Sequence, residues 1–443
     1  MTCFSRITTL AFIVLAVTSR TLHAQAPVRA RDTLYLDALQ LAAEKTDRRA
    51  SQIEMLNAQS TLRLQTIRNE RLPSFTGSAT AQYLSDVASF GSVLGGALPG
   101  GISVPSPYHD QYDASVTARE PLYDATRTKR AAVENAQAAE SAARIHTALW
   151  QQRQHVNDAF YVALLNDVQV KSVEAAITDL NARKAAAQQR VDAGSALPSE
   201  VLLLDAELLR RKQARTELTV QRSATIAVLA SLTGFDIPES AILIDRSESV
   251  DALPTENFAS SQARPEYPQF ARTRDLVNSR IAELSARDKP KVSAFGRLGY
   301  GRPGLNPLGR SFDAYWNAGL QLEWSPFNYG RTRRDVQSLQ LQSTIVASDE
   351  ASFTETVKRA TIAQRAQISA LQQSLPMDDS IVVLREHVLR ETRLRFDEGE
   401  ITSADYIARL TELLSAQLDR DARRVRLNEA RARYLTTLGR EVR

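Results

Sequence analysis

The chain has 443 residues, of which 43% are hydrophobic and 24% charged, with a formal net charge of +4. That apolar content excludes a disordered chain, and the length leaves room for a large core or two domains. Basic residues are interleaved with acids along the chain, which describes a solvated surface and no nucleic-acid footprint.

Residues 1–26 read as a secretory leader. Arg6 supplies the basic start, and Ile7 to Val17 forms an apolar run of about eleven residues, too short to span a bilayer comfortably. Ala24-Gln25-Ala26 and Leu22-His23-Ala24 both offer small-residue cleavage sites. Cleavage would remove Cys3, the one cysteine, so a thiol nucleophile, a thiolate metal site and a disulfide are all excluded from the mature chain. Cys3 precedes the apolar run and so is no lipid-attachment cysteine.

Beyond the leader no run of about 20 apolar residues exists, so no transmembrane helix is expected. Four segments instead alternate with period two, over residues of about 74–84, 111–121, 291–301 and 314–326. Phe75 to Tyr83 alternate with Thr76 to Gln82; Ala114, Val116 and Ala118 alternate with Ser115 and Thr117. Val292, Ala294, Gly296, Leu298 and Tyr300 form the third set, with Phe295 as its misfit, and Trp316, Ala318, Leu320, Leu322 and Trp324 the fourth. A single segment of this kind also fits an ordinary sheet with one face on a soluble core. Each is about ten residues long, enough for a tilted strand to cross a bilayer, and aromatic residues stand near the strand ends. Val116, Trp316, Leu320, Leu322 and Trp324 are then the lipid-facing positions. Four strands cannot close a barrel, and an open edge in lipid leaves backbone groups unpaired, so several copies must share one barrel. Two copies would supply eight strands and three would supply twelve, wide enough for a water-filled lumen.

The two halves of the chain resemble each other at an offset of about 204 to 205 residues. Tyr123 to Arg130 aligns with Phe327 to Arg334, Arg190-Val191-Asp192-Ala193-Gly194 with Arg395-Phe396-Asp397-Glu398-Gly399, and Gly234 with Gly439. Each half reads as helix, β-hairpin, long helix, tight turn and long helix. The first repeat covers 27–234 and the second 265–443, with 235–264 as a linker that forms a small irregular collar. Strand passes to helix at Pro121 and Pro326, with Asp124 and Asn328 as N-caps. Thr128 to Arg190 would make a helix about 90 Å long. Pro198 suits the first turn of the return helix, and Pro376 is placed to kink its counterpart's outgoing helix.

On Pro121-Leu122-Tyr123-Asp124, Ser325-Pro326-Phe327-Asn328-Tyr329-Gly330, Arg264-Pro265-Glu266 and the turn Phe396-Asp397-Glu398-Gly399-Glu400-Ile401 with Asp405, the chain resembles the TolC-like outer membrane efflux family over nearly its whole mature length. The resemblance implies a homotrimer whose four strands per protomer form one 12-stranded outer-membrane barrel above a helical periplasmic tunnel. It implies docking of a periplasmic adaptor and an inner-membrane pump at the turns holding Gly194, Ser195, Gly399 and Glu400. It also implies a duct, not an enzyme, with no cofactor. The family's gate aspartates fall on Asp405 and Ala408, and an expected arginine falls on Ile401, so this chain departs from the usual gate pattern. Asp405, and Glu200 at the matching place in the first repeat, each follow a Gly turn by six residues and are expected at the periplasmic constriction. Acids there also compensate a helix dipole. Three copies of Asp405 in a ring would favour cations and raise the pKa of the members.

The residues themselves offer little catalysis. His146 and His155 are nine apart on one helix and form no metal pair, and no phosphate loop, nucleophile elbow or HExxH occurs. A periplasmic coiled-coil scaffold without channel activity accommodates the helices but not the two strand pairs.

Overall fold

The computed structural model describes residues 33–87, 108–245, 263–306 and 309–441. The leader with Cys3, most of the first hairpin loop and the middle of the inter-repeat linker fall outside these residues.

Seven helices and six strands occur among the described residues. The first repeat comprises β1 (Thr33–Tyr35), α1 (Leu36–Thr46), α2 (Arg48–Asn69), β2 (Ser74–Tyr83), β3 (Asp110–Tyr123), α3 (Ala125–Asp192) and α4 (Pro198–Thr233). The linker adds β4 (Ile242–Ile244), and the second repeat comprises α5 (Glu266–Arg287), β5 (Lys291–Arg302), β6 (Asp313–Glu323), α6 (Arg331–Asp397) and α7 (Ser403–Thr437).

At 68 and 67 residues, α3 and α6 dominate the molecule. A rise of 1.5 Å per residue makes each about 100 Å long, so the four-stranded sheet and the α3–α4 and α6–α7 turns occupy opposite ends. Asp124 caps α3 as expected, its carboxylate accepting from Thr126 N–H. The second junction differs. Asn328 accepts from Gly330 N–H, and the helix starts only at Arg331, with left-handed Gly330 (φ +72°) before it. Asn328 also donates to Asp288 and Thr332, which tie the helix start to the end of α5. The fourth strand stops at Glu323, short of 326, because its partner β5 begins at Lys291, the residue opposite Glu323. α6 continues through Pro376 without interruption.

The core lies between α3 and the return helices. Midway along, Leu39, Phe160, Leu229 and Ala432 are fully buried in one cluster. Gln40 donates to Asn157 (2.5 Å), and Asn157 donates to Thr436 (3.2 Å), so this buried amide chain is satisfied across three helices. Leu34 of β1 and Leu243 of β4 join that cluster through a parallel pairing, Thr33↔Ile242 to Tyr35↔Ile244. The linker read from sequence as irregular therefore supplies a strand. Gly234 (φ +67°) and Gly439 (φ +76°) end α4 and α7 in the left-handed conformation that glycine adopts without steric cost.

Candidate functional site

The four-stranded sheet has the order β2-β3-β5-β6, all antiparallel, so the two repeats meet at the β3–β5 pair. Its register aligns the four alternating sets. Gly77 faces Val116, Val116 faces Leu298, and Leu298 faces Trp316. One face of the sheet is thus apolar from edge to edge, and it is the exposed face: Phe75 is 73% exposed, Leu298 68%, Trp316 71% and Leu320 73%. Val116 and Leu322 lie on it as well. Trp324 sits one residue beyond β6, also exposed, and its indole N–H donates to the Asp288 carbonyl (3.1 Å). Exposure of so large a contiguous apolar face is abnormal for a protein surrounded by water.

The opposite face is polar and internally bonded. Asp113 accepts from Arg297 (2.5 Å) and from the Tyr315 hydroxyl, linking β3, β5 and β6. Ser78 and Ser115 bond at 3.0 Å, and Gln82 donates to Gln111. Phe295, the misfit of the third set, lies directly across from Gly319, where any larger side chain would meet its ring. Tyr315 covers Gly299 in the same way. These two aromatics fill the space left by cross-strand glycines, an arrangement that stabilises glycine in a strand. Strands β2 and β6 are the sheet edges and have no outer partner among the described residues.

At the far end, the α3–α4 and α6–α7 turns are built alike. Ser195 N–H donates to the Arg190 carbonyl and Gly194 N–H to that of Val191, while Glu400 N–H and Gly399 N–H make the same two bonds to Arg395 and Phe396. Both are Schellman motifs, and they require the left-handed backbone of Gly194 (φ +74°) and Gly399 (φ +78°). Repeat one reaches across to repeat two. Arg190 donates to the Phe396 carbonyl (2.6 Å) with its guanidinium over the Phe396 ring, and Glu200 accepts from Ser403 N–H (2.5 Å). Glu200 therefore caps the helix of the other repeat. Asp405 caps its own: Thr402 hydroxyl accepts from Asp405 N–H, and Asp405 carboxylate accepts from Thr402 in return, a complete capping box. The Thr402 hydroxyl and N–H, and more weakly Arg409, hold the exposed Asp405 carboxyl below its ordinary 3.8 within one protomer. Ala408 is exposed, and Ile401 packs half-buried against the neighbouring core.

Two crossed ion pairs one helical turn apart bind α3 to α6 just inside these turns: Asp179 with Arg393 (2.6 Å), and Arg183 with Asp397. The fully buried Tyr406 of α7 also donates its hydroxyl to Asp179. Burial, then the bond and charge of Asp179, push the Tyr406 phenol above its ordinary value, so it remains a donor. Burial alone would lower the Arg393 guanidinium, but the Asp179 carboxylate and the Tyr406 hydroxyl outweigh it. Sequence reasoning placed none of Asp179, Arg393 or Tyr406. Each is a polar group on an apolar helical stripe, but pairing residues 214 or 227 apart requires the packing.

No family model matches the chain, and no curated protein matches it in sequence. Solved structures do match in shape. The MtrE outer membrane channel of Neisseria gonorrhoeae, solved in its open state, aligns over 92% of this chain and 89% of its own at TM-score 0.67 and 16% identity. The outer membrane protein VceC of Vibrio cholerae aligns over 92% and 97% at TM-score 0.64 and 14% identity. CusC, described for transmembrane channel formation, aligns over 91% and 92% at TM-score 0.67 and 13% identity. The chain has the fold of a TolC-like outer-membrane channel protomer.

Proposed function

We propose that this chain is the outer-membrane exit duct of a tripartite efflux pump or type I secretion system, conducting cargo passively from a pump and adaptor to the exterior. The observation that carries this reading is the sheet: an apolar exposed face across all four strands, a bonded polar face behind it, and two edges that need partners. A bilayer supplies the surroundings for the first, an aqueous lumen for the second, and further copies of the chain for the third. Three protomers would then complete a 12-stranded barrel, with the long helices forming a periplasmic tunnel. Gly194, Ser195, Gly399 and Glu400 would stand at its tip against the adaptor, and Asp405 and Glu200 at the entrance.

Purified protein reconstituted in planar bilayers tests this. The expected result is a detergent-extracted outer-membrane protein with single-channel conductance. Release by osmotic shock without detergent, with no conductance, would leave the coiled-coil scaffold instead. Asp405→Ala should lower cation selectivity and block by multivalent cations while trimer assembly persists. Unchanged selectivity and block would reduce Asp405 to the helix cap described above.

A further inference from the structure

The junction of α2 and α3 with the sheet carries a cluster of positive charge that the duct reading does not use. A groove of about 340 Å³ runs between the two helices, floored by Leu64, Ile67 and Ala131 and walled by Arg68, Arg71 and Arg127. Arg71 stands three residues before β2, and Arg127 stands four residues after Tyr123, the last residue of β3. Among the described residues no ion pair engages any of the three arginines; Arg127 donates one hydrogen bond, to the Glu70 carbonyl (3.4 Å). The acids nearby are turned elsewhere. Glu70 pairs with Arg130, and Asp124 lies 3.8 Å from the same guanidinium.

The groove and the ion pairs occupy different sides of α3. Arg130 pairs with Glu70, Glu134 with Arg63, and Gln137 accepts from Arg280 of α5. Thr128, Ala131 and Asn135 form a separate helical stripe from Arg130, Glu134 and Gln137, and the groove is lined by the first stripe. At the sheet end of the groove Phe75 is exposed on the apolar face, and a bulge between Pro121 and Tyr123 sets the exposed Tyr123 opposite Val292 of the apolar set. Arg68 lies in the last turn of α2, and the Arg127 guanidinium reaches the same helix end, where it donates to the carbonyl of the C-cap Glu70.

We propose that this groove holds the phosphate of an anionic phospholipid of the periplasmic leaflet, with its acyl chains running toward Phe75 and Tyr123. Guanidinium forks match phosphate oxygens, and the aromatic side chains are of the kind that lie at headgroup depth. The inference rests on the duct reading for its membrane orientation.

Native mass spectrometry of the full-chain protein in detergent tests it, with phosphatidylglycerol, phosphatidylcholine and inorganic phosphate as probes. Wild type should retain phosphatidylglycerol over phosphatidylcholine by about tenfold, a preference expected from adjacent arginines. Arg68→Gln, Arg71→Gln and Arg127→Gln together should bring the two lipids to parity, Arg→Lys at the same positions should restore part of the preference, and Arg272→Gln should change nothing. Should the triple variant fail to assemble, Arg127→Gln alone is expected to lower the preference. Parity in wild type, a preference that survives every substitution, or displacement of lipid by equimolar inorganic phosphate overturns the proposal; the last outcome would mark a free-anion site. Conductance of the same preparation is read in parallel. A conducting wild type at parity sinks the lipid site alone, whereas a lipid preference without conductance sinks the duct.

Discussion

Thr402 and Asp405 hold one another across the first turn of α7, and Glu200 takes the next free N–H of that turn, Ser403. Three of the helix's orphan groups are thus served by two repeats at once. Thr402→Ala should cost about 1 kcal/mol, the usual loss for a cap, concentrated in this turn. Hydrogen exchange at Ser403 to Tyr406 should report it as lost protection, with α7 further on unchanged. Asp405 adds a pH dependence of known sign. Its folded pKa is depressed, so its contribution is complete above the ordinary carboxylate value of 3.8 and is lost as the pH falls through the lower folded value. Protection of this turn should hold from neutral pH down to that range and decline only below it. A decline starting near neutral pH would assign the effect to another group. Deeper in, Asp179 serves both Arg393 and Tyr406. Asp179→Ala strands the buried Tyr406 hydroxyl, at about 1 to 3 kcal/mol, and unpairs Arg393, whose part-exposed guanidinium water can serve. Tyr406→Phe removes one bond and leaves Arg393 paired, so it should be the milder change. If these ties hold the entrance closed, Asp179→Ala raises single-channel conductance and Tyr406→Phe raises it less. Equal conductance in all three proteins would make the cluster a structural brace only.

The strands show where sequence suffices. Their apolar sets were visible as period-two patterns, and the register then placed all four sets on one face, the one shift being a bulge between Pro121 and Tyr123, beyond the alternating run of β3. A slip of one residue would have turned a whole strand over, so the agreement of four strands is mutually constraining. Phe295 broke the pattern because its reason is cross-strand: it fills the space over Gly319, twenty-four residues on, which no local rule reads. The second helix start was misplaced by two residues because Asn328 bonds Gly330 and Asp288 as well as serving the helix. The turns were legible from Gly194 and Gly399, yet the bonds that tie one turn to the other were not. The face assignment makes a sharp comparison. Leu320→Arg puts a charge on the apolar face and should cost about 2 to 4 kcal/mol near a bilayer midplane. Gln321→Arg, one residue on, points to the polar face and should be far milder. Assembly yield in lipid bilayers under urea titration reads both; equal tolerance would cancel the assignment of faces.

A protomer with this sheet cannot be the complete unit in a membrane. Among the described residues the outer edges of β2 and β6 leave a row of backbone groups unpaired, and in hydrocarbon each costs several kcal/mol. Water would relieve that cost, but water would then also face Phe75, Leu298, Trp316 and Leu320. Pairing β2 of one copy with β6 of the next satisfies both demands, and a head-to-tail contact of that kind closes only as a ring. Two copies would close eight strands, an interior that side chains fill, which leaves the bonded polar face of Asp113, Arg297 and Tyr315 no room for cargo. Three copies make twelve strands and a lumen. Cysteine pairs separate these cases, and the leader reading makes the background clean, since Cys3 is the one native thiol. Thr76→Cys on β2 is combined in turn with Asn317→Cys, Gly319→Cys or Gln321→Cys on β6, all on the polar face. Each copy then carries one thiol at each edge, and the pair in correct register should oxidise to a covalent ring. Non-reducing gels of the membrane-inserted protein are expected to show a ladder ending at the trimer for one pair and little product for its neighbours. A ladder ending at the dimer would replace the 12-stranded barrel by a filled 8-stranded one. Cross-linking that fails for every pair while the protein still conducts would show that β2 and β6 do not meet, and the barrel would have to close by another edge.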